Sequence, residues 1–272
     1  LGLLGDLIFA VDPRDSDRLQ EMLTQTRAAS RSSLVNRGSE TARKQAVRGL
    51  GPIAALEHLM GSPDTLRFIE DLHGGFDQRS EEIMRNIELI RDFIAHNARW
   101  TVSFAGGENA FRALTRVLDT WSVDRRREDV PAAPPVFRPF ATPPREGLAG
   151  QMKIAHCVKA MPAPHLNHPD TPLFRLGAFL TTFDFFLPEI RLKGNAYGAR
   201  CFHDSQNNTF CLTSFNDPRI VETLEVFDGL RNFLESQSWT QRDIDRAIIS
   251  GASDFQRPLR PFDATTTAMM RY

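Results

Sequence analysis

A chain of 272 residues, 41% hydrophobic and 25% charged, has the composition of a soluble globular protein and the length for one large domain or two. Its net charge of −1 excludes a global electrostatic pull toward nucleic acid or an anionic membrane. Three cysteines, Cys157, Cys201 and Cys211, are too few for a disulfide framework and match no metal-ligand spacing. They fit a reducing compartment: the cytoplasm or, in a eukaryote, the mitochondrial matrix or another organelle.

Residues 1–9, L-G-L-L-G-D-L-I-F, lack a basic leader region and are interrupted by Gly and Asp. They make neither a signal peptide nor a bilayer span, and predict the middle of a buried helix. With Leu1 in place of an initiator methionine and no stop signal at Tyr272, a fragment of a longer chain is expected. Asp12-Pro13 breaks this segment, and Asp15 or Ser16 caps a helix carrying Leu19, Met22 and Leu23 on one face. A second helical stretch after Ser39 is broken or kinked by Gly49, Gly51 and Pro52 on its way to Leu56 and Leu59. A short amphipathic piece over residues 66–72 ends at Gly74-Gly75. Ser80 opens the cleanest helix, with Ile83, Ile87, Ile90 and Ile94 at the helical period of a core-packing face. Alternation of Trp100, Val102 and Phe104 predicts a strand over residues 99–105. Gly106-Gly107 then turns into a helix bearing Phe111, Leu114, Val117 and Leu118; lacking a phosphate-loop signature, the pair reads as a plain turn.

Residues 122–147, with Pro131, Pro134, Pro135, Pro139, Pro143 and Pro144, form an ordered connector. The basic run Arg125-Arg126-Arg127 within it is followed at once by Glu128-Asp129 and reads as solvated. The connector separates a helix-rich α+β portion, residues 1–121, from a second α+β portion, residues 148–272. There a strand from Gln151 carries Met152, Ile154, His156 and Val158 on one side and ends at Pro162 and Pro164. Asp170 or Thr171 caps a long apolar helix over residues 173–187. Strands over residues 199–203 and 209–215 flank the hairpin turn Ser205-Gln206-Asn207-Asn208. Asp217-Pro218 is a cap-then-proline helix start, and Thr240 with Asp243 forms a capping box for the last clear helix. Each half therefore mixes helices with short antiparallel strands.

Between the apolar helix and the hairpin lie Arg191 and Tyr197, with Lys193, Gly194 and Gly198 beside them. Guanidinium and phenol both donate hydrogen bonds, and an arginine grips a carbonyl or carboxylate in a fixed geometry. Lys193 adds positive charge, and the glycines permit positive φ or close backbone approach to a ligand. The same spacing is also met by an ordinary helix-to-strand turn with a surface arginine. Other candidates are weaker. His165 and His168 with Asp170 are zinc-ligand types, but the bounding prolines remove a shared helical face and a polar loop is the plainer reading. No histidine lies in H-x-x-E-H or H-E-x-x-H. Cys157 and His156 point to opposite faces of a strand, Cys201 and Cys211 occupy apolar hairpin positions, and His203 lies just past the joint.

The run R-L-K-G-N-A-Y-G, followed by F-N-D-P and V-E-T-L-E-V-F-D-G-L, resembles the C-terminal half of the pitrilysin/insulinase family of zinc metallopeptidases, in its presequence-protease branch with falcilysin-like relatives. In weaker form the likeness extends over nearly all of the chain. It implies two pitrilysin-like modules of mainly antiparallel sheet packed with helices, both truncated here. The resemblance places the catalytic zinc on an inverted H-x-x-E-H motif in the N-terminal half, so no catalytic residue and no metal are expected in this chain, which alone should be inactive. It also implies that the C-terminal half closes a peptide-holding chamber in which Arg191 and Tyr197 contact substrate. The expected partners are the N-terminal half of the same protein and unfolded peptides, with neither nucleic acid nor membrane. An inactive paralogue serving as a peptide-binding or scaffold subunit is the alternative, and an unrelated α+β interaction domain a third reading. The family commonly has a second glycine where this chain has Asn195.

Overall fold

The computed structural model describes residues 2–94, 100–121, 145–150 and 152–271. Among them the fold is α+β and mostly helical, and its sheet is a small three-stranded antiparallel one. Helices α1 (Gly2–Phe9), α2 (Ser16–Asn36), α3 (Gly38–Val47), α4 (Pro52–Leu59), α5 (Pro63–Gly74), α6 (Phe76–Ile94) and α7 (Glu108–Trp121) precede β1 (Val158–Pro162). Helix α8 (Thr171–Thr181) continues as a π-helix (Thr182–Leu192), followed by β2 (Gly198–Asp204) and β3 (Thr209–Phe215). Helices α9 (Val221–Asp228), α10 (Leu230–Ser236), α11 (Gln241–Gln256) and α12 (Pro261–Arg271) complete the chain. Two compact units interleave along the sequence: Leu1–Gln25, Asp71–Pro135 and Arg257–Tyr272 in the first, Thr26–Glu70 and Val136–Gln256 in the second. Most of the expected proline-rich connector, residues 122–144, lies outside the described residues. Among those described, no helix is long and apolar enough to cross a membrane.

Local signals act where the side chains have room to close on the backbone. Asp15 Oδ1 accepts from the Arg18 amide at 3.0 Å and caps α2. The Gly49–Pro52 punctuation separates α3 from α4. At α11 the capping box closes in both directions, Thr240 N to Asp243 Oδ2 at 3.1 Å and Asp243 N to Thr240 Oγ1 at 3.4 Å.

In the first unit, residues 100–105 are irregular rather than the predicted strand. The alternating aromatics find helices instead of a strand partner. Trp100 lies 5.8 Å from the Phe9 ring and 6.2 Å from Trp121, with its Nε1 donating to the Ile94 carbonyl at 2.7 Å. Phe104 packs on Phe111 at 5.7 Å, and Ser103 Oγ donates to the Thr265 carbonyl. Helix α6 begins at Phe76, ahead of Ser80, and only part of its apolar stripe is covered: Ile83 is buried while Ile90 and Ile94 are exposed. Helix α1 forms as predicted but is not buried, since Leu3, Leu4 and Leu7 face outward.

The second unit is built on the sheet, ordered β1-β3-β2, with Cys201 paired to Leu212 and Ala160 to Cys211. On one face Cys201, Phe210 and Leu212 pack with Phe186, Ile190 and Phe227. On the other, Cys211 meets Val47 and Ala54. Strand β1 starts at Val158, later than expected; upstream, Ala155 makes a single antiparallel bridge to Asp217. The predicted apolar helix is present, but its second half is wound as a π-helix around Pro188, with Lys193 N bonding the Pro188 carbonyl at 3.0 Å. Proline has no N–H to give an α-helical ladder, and the wider winding relieves the clash with the preceding turn. The helix expected from Asp217 begins instead at Val221, and Gly229 divides it into α9 and α10.

Candidate functional site

The π-helix carries Arg191 near its C-terminal end, five residues lead to Tyr197 in the short loop, and β2 starts one residue later. Arg191 is exposed, and among the described residues its guanidinium has no hydrogen-bonding or ion-pair partner. Tyr197 is 68% exposed, with its ring resting on Phe215 at 5.5 Å. Lys193, by contrast, is engaged: its Nζ lies 2.6 Å from Glu189 Oε1, one helical turn back. The structure thus keeps Arg191 and Tyr197 open to solvent and spends the lysine on the helix end.

The backbone between them is tightly held. Ala196 N donates to the Ile190 carbonyl at 3.2 Å, Asn195 N to the Arg191 carbonyl at 3.0 Å, and Tyr197 N to the Asn216 carbonyl at 3.1 Å. Gly194 is required for close approach, not for positive φ: a Cβ there would overlap the Ile190 carbonyl oxygen and lie 2.6 Å from Arg219 Nη2. Gly198 is required in the same sense, because a Cβ would collide with the Phe215 ring that supports Tyr197. The left-handed turn falls on Asn195, with φ 61°. Asparagine tolerates that region better than most L-residues, so the turn forms here without a glycine.

Two residues outside the sequence-based set complete the arrangement. Arg219 Nε donates to the Gly194 carbonyl at 3.1 Å. Asp217, only 1% exposed, accepts from Arg219 N at 2.9 Å through Oδ1 and from Thr223 Oγ1 at 2.8 Å through Oδ2. Asp217-Pro218 reads from sequence as a helix start; in the structure the Asp217 carboxylate, accepting from the Arg219 amide two residues on, closes an Asx-turn instead.

Phe215 also forms part of the wall of an open groove of about 1030 Å³, together with Arg37, Lys153, His156, Arg200 and Phe202. The Arg200 guanidinium lies 4.9 Å from the Phe202 ring centre. Partial burial holds His156 below its usual pKa, and its Nδ1 accepts from the Asn216 amide at 3.4 Å.

The remaining candidates are held by the fold. His165 Nδ1 accepts from Asn167 N and His168 Nδ1 from Asp170 N, so each ring secures its own loop. Nε2 of His203 is 2.7 Å from the Pro164 carbonyl, and its ring lies against Phe174. Cys157 is buried away from His156, and burial pushes its thiol above the usual value. Burial also raises the Cys201 and Cys211 thiols to about 11, which removes them as nucleophiles near neutral pH. Among the described residues no group of three or more His, Cys, Asp or Glu could hold a metal ion.

Chemically, the open pair offers a forked cation and a phenol, both donors, at a rigid edge. It suits recognition of carbonyl or carboxylate oxygen, while providing neither a nucleophile nor a general base.

Residues 177–272 match the family model described as PreP C-terminal domain. The mitochondrial presequence protease of Xenopus laevis is 26% identical over 281 aligned residues, which cover 92% of this chain and 27% of that protein. Presequence protease 1, chloroplastic/mitochondrial, of Arabidopsis thaliana is 23% identical over 276 residues, covering 99% of this chain and 25% of that protein. Over a shorter stretch of 112 residues, 40% of this chain and 10% of the relative, the mitochondrial presequence protease of Mus musculus reaches 37% identity. The chain thus spans about a quarter of the length of the curated relatives it matches end to end. Together these matches support reading the chain as a C-terminal fragment similar to presequence proteases, with the PreP C-terminal domain model matched at residues 177–272.

Proposed function

We propose that this chain is the non-metal-binding C-terminal part of a zinc metalloendopeptidase that degrades unfolded peptides, and that it forms the substrate-holding wall of a closed chamber. The observation that carries the reading is that an exposed guanidinium, with no hydrogen-bonding or ion-pair partner among the described residues, and an exposed phenol stand at the two ends of one tightly bonded turn. A side chain with five donors and no acceptor among the described residues is available to a ligand. Arg191 and Tyr197 bind main-chain oxygens of the peptide near the scissile bond, and Gly194 and Gly198 keep the loop in the shape that presents them. Lys193 contributes through its pairing with Glu189 at the helix end, not as a free cation.

The zinc implied by the family does not fit the described residues, which offer no group able to ligate it; the reading assigns it to the N-terminal half of the same protein. What this chain supplies is position. Fixing the carbonyl in a reactive orientation removes orientational freedom that the reaction would otherwise have to lose, and such positioning is worth several kcal/mol of barrier. The mitochondrial and chloroplastic names of the relatives support an organellar location for the whole protein.

The test is Arg191→Ala in the full-length protein, assayed on an unfolded peptide. We expect a fall in kcat/KM of about tenfold or more, roughly 1.4 kcal/mol upward, with a thermal midpoint close to that of the unaltered protein, since an exposed, unpaired side chain contributes little to stability. Unchanged hydrolysis in that variant removes the role assigned to the loop.

A further inference from the structure

Between Arg191 and Tyr197 the chain makes a turn that depends on more than its own sequence. We infer that Arg219 is a positioning residue for substrate binding, acting through the Gly194 carbonyl to set the aim of Arg191 and Tyr197. The inference rests on the reading of those two side chains given above and deepens it.

Three observations support it. Arg219 is half-buried, and its Nε donates to the Gly194 carbonyl at 3.1 Å, at the middle of the loop. The guanidinium also lies against Gly194 itself, where only the absence of a Cβ leaves space for Nη2. Finally, Arg219 is itself fixed from behind. Its amide donates to Asp217 Oδ1, the other carboxylate oxygen accepts from Thr223 of α9, and the Asp217 backbone is bridged both ways to Ala155, at 2.7 and 3.0 Å.

A nearly fully buried carboxylate thus anchors one end of a strap, and a guanidinium at the other end grips the loop. Asn216, next to the anchor, accepts from the Tyr197 amide at 3.1 Å. The segment from Asn216 to Arg219 therefore braces the loop at two points, below Tyr197 and just after Arg191. The π-helix ends at Leu192, and Gly194 is the second residue beyond it. Without the Arg219 contact, the Gly194 carbonyl loses its side-chain donor and the turn gains freedom to swing both side chains. Arg219 makes no contact with substrate in this scheme, so its loss should fall on the orientation of bound peptide more than on its capture.

The experiment is a double-mutant cycle in the full-length protein, with kcat and KM measured on one unfolded peptide. Arg219→Ala is expected to lower kcat about tenfold while changing KM by less than about twofold. In the Arg191→Ala background the same change should cost less than about twofold further, because the residue it aims is already gone. Arg219→Lys keeps a single donor within reach of the carbonyl and should recover activity to within about threefold of the unaltered protein. If the alanine variant folds poorly, Arg219→Met keeps the stem's packing, removes only the donors, and runs the same cycle.

Normal turnover in Arg219→Ala alongside impaired Arg191→Ala overturns this inference and leaves the reading of the loop intact. Losses that multiply in full in the double variant overturn it too, since they show Arg219 acting independently of Arg191. Normal turnover in Arg191→Ala overturns the underlying reading, and this inference with it.

Discussion

Two polar loops of the second unit flank the same apolar helix and use their side chains in opposite ways. The loop before α8 carries His165, His168 and Asp170, a richer set of chemical groups than the loop after the π-helix. Yet both of its imidazoles accept from backbone amides two residues away, and Thr171 Oγ1 donates back to the His165 carbonyl at 2.7 Å. The Nδ1 atoms of both histidines and the Thr171 hydroxyl are used in shaping the loop. In the later loop the shaping is done by backbone bonds, by two glycines and by an arginine from another segment, so Arg191 and Tyr197 are left over. A binding site is recognisable less by the chemistry of its residues than by which of them the fold does not need.

That contrast is broken most forcefully at Gly194. An alanine there would drive its methyl group into the Ile190 carbonyl and the Arg219 guanidinium. One of them must move, and overpacking of this kind costs about 1–3 kcal/mol. Gly194→Ala should therefore lower the denaturation midpoint and, in the full-length protein, reduce peptide hydrolysis at least as much as Arg191→Ala. Full stability and full activity would show that the loop's shape is not what matters. A smaller effect is expected from Tyr197→Phe, which keeps the ring on Phe215 and removes only the hydroxyl. One hydrogen bond to a neutral acceptor is worth about 0.5–1.5 kcal/mol, so kcat/KM should fall about twofold to thirteenfold, with stability unchanged.

What the sequence made legible were the elements whose signals are local and self-contained. The β2–β3 hairpin, the capping box at Thr240 and Asp243 and the break at Gly51-Pro52 involve only residues close in the chain. The strand expected at residues 99–105 failed because alternation reports a two-sided environment but not who supplies it; Trp100 and Phe104 are packed by helices. The stripe on α6 failed in the same way, since period alone does not say that Ile90 and Ile94 will be covered. At the candidate site, Arg191 and Tyr197 were visible through a resemblance, because their spacing alone equally fits an ordinary turn. Arg219 was not visible at all. Its partner carbonyl is 25 residues away, and Asp217-Pro218 carried a stronger local reading, that of a helix cap. The cost of that reading was the buried carboxylate that anchors the strap.

The opposite loop gives the mildest prediction and the sharpest control. His168 is partly exposed, and its ring accepts one amide, that of Asp170, at 3.2 Å. Removing it by His168→Ala takes away a solvent-accessible neutral hydrogen bond, worth at most about 0.5–1 kcal/mol. If its group is spent on local shape, the variant should show that small loss in a denaturant titration, while kcat and KM of the full-length protein stay where they were. A drop in kcat would mean that the histidine reaches the chemistry despite being tied down. The distinction between the two loops, polar groups used by the fold against polar groups left over, would then fail as a guide to the proposed peptide-binding site.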